Sequence, residues 1–146
     1  MRPSRDEILI ASALLWSTRG TCDRAQVGAV IARDGRILVS GYNGPPAGMP
    51  HCSHGDDPSP CGDAVHAEAN AIVYAARYGI KLEGTDIYCT HFPCPNCAKL
   101  IVNSGIQSVF FITAFRDMAG KELFDAVNIT TTQLLPPSFS VDMMNA

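Results

Sequence analysis

Residues 85–105 read TDIYCTHFPCPNCAKLIVNSG. Thr85 to Thr90 mix β-branched and aromatic residues and read as a strand. Pro95 to Ser104 read as a helix, with Pro95 in the first turn, where proline is tolerated, and Gly105 ending it. Between the two lies Cys94-Pro95-Asn96-Cys97. A helix N-terminus carries unpaired N–H groups and a partial positive charge. Both favour thiolate, the form of cysteine that binds metals. The cysteine pair therefore sits at the mouth of a helix that follows a strand, where metal binding is favoured.

The pattern extends in both directions. Downstream, Gln107–Thr113 reads as a strand, Gly120–Ala126 as a helix and Asn128–Leu134 as a weak strand. Upstream, His66–Tyr78 reads as a helix stopped by Gly79. Ala25–Ala32 and Ile37–Tyr42 read as strands joined by an Asp34-Gly35 hairpin turn. Ser4 and Glu7 form a capping box that opens a helix running to about Thr18. Helix, hairpin, helix, strand, helix, strand, helix, strand predicts a three-layer α-β-α fold. Its mixed five-stranded sheet has helices on both faces and its later strands parallel. The whole chain, 1–146, reads as one domain with a loosely held tail after about residue 136. Asn43 to Asp63 is a long stretch of Gly, Pro, Asp, His and Cys, and loops of that length are usually functional or tied down.

Of 146 residues, 47% are hydrophobic and 17% charged, which excludes a disordered chain. The net charge of −3 and the lack of any Lys/Arg block argue against a grip on long nucleic acid. Small anionic ligands need only a cation or two. Asp6 and Glu7 interrupt the N-terminal region, so it does not read as a signal peptide, and no run reaches membrane-spanning length. The expectation is a cytoplasmic protein without membrane contact. Its six cysteines are then metal ligands or buried thiols.

HAEANA, residues 66–71, supplies the partner of the cysteine pair. His66 opens a helix, as Cys94 does, so His66, Cys94 and Cys97 can meet at one Zn²⁺. Three protein ligands leave the fourth position to water, which is the catalytic type of zinc site. Glu68, two residues past His66, falls beside that open position and can move protons to and from the water. Glu68 and Asn70 are expected to share the helix face that looks into the zinc pocket, with Ala67, Ala71 and Ile72 packing behind. Alone, Cys-x-x-Cys after a strand also suits a redox pair, and His-x-Glu means little. Together, His-Ala-Glu and Pro-Cys-x-x-Cys match the zinc nucleobase deaminase signature.

Four stretches, TCDRAQVGAVI (21–31), SGYNGPPAG (40–48), HAEANAI (66–72) and THFPCPNCAKLIVNSGI (90–106), resemble the deoxycytidylate (dCMP) deaminase family within the cytidine deaminase fold. The likeness runs from about Thr21 to Val127. It implies hydrolysis of dCMP to dUMP and ammonia for thymidylate synthesis, with Glu68 as proton carrier. It also implies that Asn43 holds the nucleotide, that the strand around Ala29 lines the base pocket, and that His91 and Phe92 border the substrate. Phe115 stands where relatives often carry Tyr. If that hydroxyl normally meets phosphate, Arg116 or His91 takes its place, and Arg24 is a further anion-binding candidate.

Relatives are often hexamers activated by dCTP and inhibited by dTTP. The resemblance carries that regulatory site onto Gly41, Tyr42, Asn43 and Gly44, with Tyr74 and Arg77 on the following helix. Several relatives also tie down the long loop with a structural zinc. Here Cys22, Cys52 and Cys61 correspond, with His54 the first choice of fourth ligand and His51 the second. The other reading of these cysteines is reduced thiols in apolar spots, which also suits Cys89. Competing functions are deamination of CMP or a 5-substituted dCMP, a zinc-stabilised binding module without catalysis, and a nucleic-acid editing enzyme.

Overall fold

The computed structural model of the chain describes residues 2–114 and 117–141. Phe115 and Arg116 lie outside them. In chain order the elements are α1 (Arg5–Ser17), β1 (Gly28–Arg33), β2 (Arg36–Tyr42), α2 (Ala67–Tyr78), β3 (Asp86–His91), α3 (Pro95–Asn103), β4 (Ser108–Thr113), α4 (Ala119–Ala126) and β5 (Thr130–Gln133). The strands form one sheet in the order β2-β1-β3-β4-β5. β1 is antiparallel to both neighbours, and β3, β4 and β5 are parallel.

Local chemistry sets these boundaries. The Ser4 hydroxyl accepts the Glu7 N–H while the Glu7 carboxylate accepts the Ser4 N–H, completing the capping box of α1. Asp34 and Gly35 both have positive φ, 52° and 77°, as the tight turn between β1 and β2 requires. β1 starts three residues later than the sequence suggests. The Asn43 side chain bonds the backbone of Ala25 and Val27, so that stretch joins a loop instead of the ladder.

Alternation along the strands divides the core in two. Leu9, Ile10 and Ala13 of α1 pack on Val30, Ala32 and Tyr88 on one face. The other face carries the larger cluster, in which Ala29, Ile31, Ile87, Cys89, Val109 and Phe111 meet α2, α3 and α4. Tyr88 anchors α1 to the sheet: its hydroxyl donates to the Asp6 carboxylate at 2.6 Å and its ring stacks on Phe110. Two close approaches seat the helices. A Cβ on Gly28 would lie 2.1 Å from the Ala13 carbonyl of α1, and one on Gly41 would lie 2.2 Å from the Ala67 carbonyl of α2. The second brings the first turn of α2 hard against β2. Among the described residues no helix is long and apolar enough to cross a membrane.

Candidate active site

α2 and α3 both begin where β3 ends, and each begins on a metal-ligand residue. His66 is the N-cap of α2, in extended backbone, with no side-chain capping bond that would occupy its imidazole. Cys94 is the N-cap of α3, where its sulfur accepts the Cys97 N–H at 3.4 Å. His66 Nδ1 lies 3.4 Å from Cys94 Sγ and 3.5 Å from Cys97 Sγ. Tetrahedral zinc with ordinary Zn–N and Zn–S bonds puts nitrogen and sulfur about 3.6 Å apart. The three donors therefore fit a zinc ion with one position left over. The Cys97 thiol, with the Cys97 N–H and His66, holds Cys94 down to about 4, so it is a thiolate at neutral pH.

Glu68 is 4% exposed, in the first turn of α2. Burial pushes its carboxyl above the ordinary carboxylate range. A carboxyl raised this way holds a proton more readily than an exposed one, which suits a group that must both accept and return it. It opens onto a cavity of about 360 Å³ whose walls include Arg24, Val27, Asn43, His66, His91, Phe92 and Cys94. Asn70 does not share this face. Two helical residues apart means about 200° around the axis, and the Asn70 amide instead donates to the Tyr42 carbonyl at 2.8 Å. It ties α2 to the end of β2 and looks away from the zinc pocket.

The other sequence-derived positions fall as follows. Asn43 is buried at the cavity wall with its amide engaged by the backbone, accepting from Val27 N–H and donating to the Ala25 carbonyl, each at 2.8 Å. Ala29 is sealed in the core, and Ala25 and Val27, earlier on that segment, face the cavity. Phe92 lines the cavity and packs edge-on against Phe111 and Phe124. His91 also lines it, and burial lowers its pKa. The exposed Arg24 guanidinium donates to the Asp57 carbonyl at the cavity rim. Cys89 is fully buried within the core, on the strand below Glu68.

A second donor cluster adjoins the first. Cys22, Cys52, His54 and Cys61 have all four ligand atoms within 4.8 Å of one another. Cys22 Sγ lies 3.6 Å from His54 Nε2, and Cys52 Sγ lies 3.6 Å from Cys61 Sγ. These spacings also suit tetrahedral zinc, and His54 supplies the fourth donor where His51 does not. Burial, aided by Cys61 and Cys22, raises Cys52 to about 12. Cys61, despite burial, is brought down to about 7 by the N–H groups of Ala64 and Asp63. Cys22 and Cys61 also line the cavity beside Glu68. Sequence reasoning missed Asp23, whose carboxylate accepts the His54 N–H at 2.9 Å. Its place beside Cys22 was the available signal, since an acid next to one ligand residue can hold the backbone of another, here the main-chain N–H of His54.

A larger open cavity, about 760 Å³, lies along β2 and is lined by Gly41, Tyr42, Gly44, Tyr74, Trp16 and His51 among others. Asn43 faces the other cavity, and Arg77 lies over the Tyr78 ring.

A pair of thiols and an imidazole poised for zinc, with a buried acid at the same cavity wall, is what zinc-dependent nucleobase deaminases carry, and this site places the protein in that class of hydrolase. Comparison with known proteins narrows the class. Residues 3–113 match the family described as the cytidine and deoxycytidylate deaminase zinc-binding region, and the chain belongs to that family. It is 38% identical over 125 residues to the deoxycytidylate deaminase of Mycobacterium phage D29, covering 75% of this chain and 95% of the relative. It is 36% identical over 150 residues to ComE operon protein 2 of Bacillus subtilis, covering 99% and 78%. The crystal structure of the cyanophage S-TIM5 dCMP deaminase in complex with dCMP and dUMP superimposes with a TM-score of 0.85 at 32% identity, covering 92% and 99%. The mixed five-stranded sheet and four helices match that fold, as the element order predicts.

Proposed function

We propose that the chain, acting as a single domain, hydrolyses dCMP to dUMP and ammonia and so supplies dUMP for thymidylate synthesis. The observation that carries this is Glu68, buried beside the three zinc donors at the cavity wall. His66, Cys94 and Cys97 would hold zinc, which would supply the Lewis acid that makes water nucleophilic at neutral pH. Glu68 takes one proton from that water and delivers it to N3 of the cytosine as oxygen joins C4. It carries the second proton to the 4-amino group, the C4–N bond breaks, and ammonia leaves. Water and dCMP in, dUMP and ammonia out, balances. Phe92 gives the base an apolar wall. Arg24 and His91 at the same cavity offer the positive charge and hydrogen-bond donor that a 5′-phosphate needs. The dCMP and dUMP bound in the S-TIM5 relative support the choice of nucleotide.

The second cluster is read as a structural zinc site that fastens the long loop. The groove along β2 is read as an effector site for dCTP and dTTP, in a homo-oligomer that the resemblance makes a hexamer. An ultraviolet absorbance assay tests the function on dCMP, CMP, deoxycytidine, dCTP and 5-methyl-dCMP, each with and without added dCTP or dTTP. Selective loss of dCMP is the expected result. Turnover of another nucleotide alone moves the substrate, and turnover of none with zinc bound removes the catalytic reading.

A further inference from the structure

β3 ends beside the zinc donors with a hydroxyl that takes no part in metal binding. Thr90 is 3% exposed, and the β1–β3 ladder stops one residue short of it, at Ala29 opposite Cys89. Its Oγ1 accepts the Gly28 N–H at 3.1 Å and lies 2.9 Å from His91 Nδ1. Among the described residues these are its partners. A threonine hydroxyl has one proton to donate. Gly28 N–H is itself a donor, so that proton has one acceptor, the imidazole Nδ1. With the hydroxyl donating to Nδ1, which keeps the hydroxyl's own buried proton paired, the ring proton of His91 sits on Nε2. Burial favours the neutral ring. His91 lines the cavity that holds Glu68 and Arg24, so Nε2–H is the donor left for a ligand.

We propose that Thr90 is a positioning residue that locks His91 in its Nε2–H tautomer, so that the ring offers one fixed donor to an oxygen of the nucleotide 5′-phosphate. This rests on the reading of the cavity as a nucleotide site. With the opposite tautomer, a nitrogen lone pair would face the phosphate oxygens and repel them. Arg24 supplies charge at the rim, and His91 supplies direction.

The test begins with ¹⁵N NMR of the histidine-labelled, zinc-loaded protein without nucleotide, His91→Gln identifying the resonances. A pyrrole-type Nε2 and a pyridine-type Nδ1 are expected. Thr90→Val should scramble this signature and raise KM for dCMP roughly fivefold to tenfold, the scale of one hydrogen bond, with kcat little changed. Thr90→Ser keeps the hydroxyl and should restore both. His91→Gln places an amide donor where Nε2 stood. In that background Thr90→Val should have no further effect on KM, which separates tautomer control from loss of packing at Gly28. If Thr90→Val folds poorly, Thr90→Ser and His91→Gln still carry the test. A protonated Nδ1 in the wild-type protein, or an equal Thr90→Val penalty in both backgrounds, overturns the role of Thr90. Equal affinity for dUMP in wild type and His91→Phe overturns the phosphate contact. No turnover of any cytosine nucleotide by the wild type overturns the reading beneath both.

Discussion

The two donor clusters face one cavity yet are built in opposite ways. His66, Cys94 and Cys97 stand on the first turns of two helices packed on the sheet, and the Gly41–Ala67 approach fixes one of those turns. Cys52, His54 and Cys61 lie in a segment with no helix or strand beneath it. It is tied to the rest by Cys52 N–H to the Thr21 carbonyl, His54 main-chain N–H to Asp23, Arg24 to the Asp57 carbonyl, and the His54 ring beside Cys22 Sγ. The first cluster is organised by the fold and presents its donors to a metal. In the second, a metal would organise the fold. An open coordination position is useful only where the ligands hold still without it, so the rigid cluster is the one suited to catalysis.

Breaking the comparison starts at the rigid cluster. His66→Ala should remove the catalytic zinc and reduce turnover to background, with the helical circular dichroism signal retained. Collapse of the fold would show that this cluster too depends on its metal. Glu68→Gln should lower kcat by about 10²–10⁴-fold with zinc content unchanged, because general acid–base catalysis supplies gains of that size. Appreciable residual rate would remove Glu68 from the proton path. Cys52→Ser should lose the second metal, lower Tm by roughly 5–10 °C and expose the loop to proteolysis. KM should rise several-fold, because Cys61 forms part of the cavity wall. A fully metallated and equally stable variant would end the structural-zinc reading. Tyr88→Phe touches neither cluster. Losing its bond to Asp6 should cost about 1–2 kcal/mol in denaturant unfolding with metal content intact.

The sequence disclosed what local rules decide. Asp34-Gly35, Ser4 with Glu7, and Pro95 before Cys97 each set their turn or cap within a few residues, and the structure keeps all three. The clustering of His66, Cys94 and Cys97 was legible because helix starts announce themselves. Features requiring a distant partner stayed hidden. Asn43 takes up the backbone of Ala25 and Val27, which nothing near Asn43 signals. Asn70 faces β2 because helical rotation separates it from Glu68. Thr90 reads as an ordinary strand residue until Gly28 arrives beside it.

The order β2-β1-β3-β4-β5 also dictates a sequence in time. The β1–β2 hairpin closes across a two-residue turn, whereas β3 must find β1 across the whole of residues 34–85. Long-range pairing of this kind is slow compared with a hairpin. His66 lies within that intervening stretch and Cys94 lies beyond it, so the three donors first converge once β3 has docked. Zinc bound by His66, Cys94 and Cys97 should therefore leave the early phase of refolding unchanged and stabilise only the final product, making capture at this cluster the closing event of assembly.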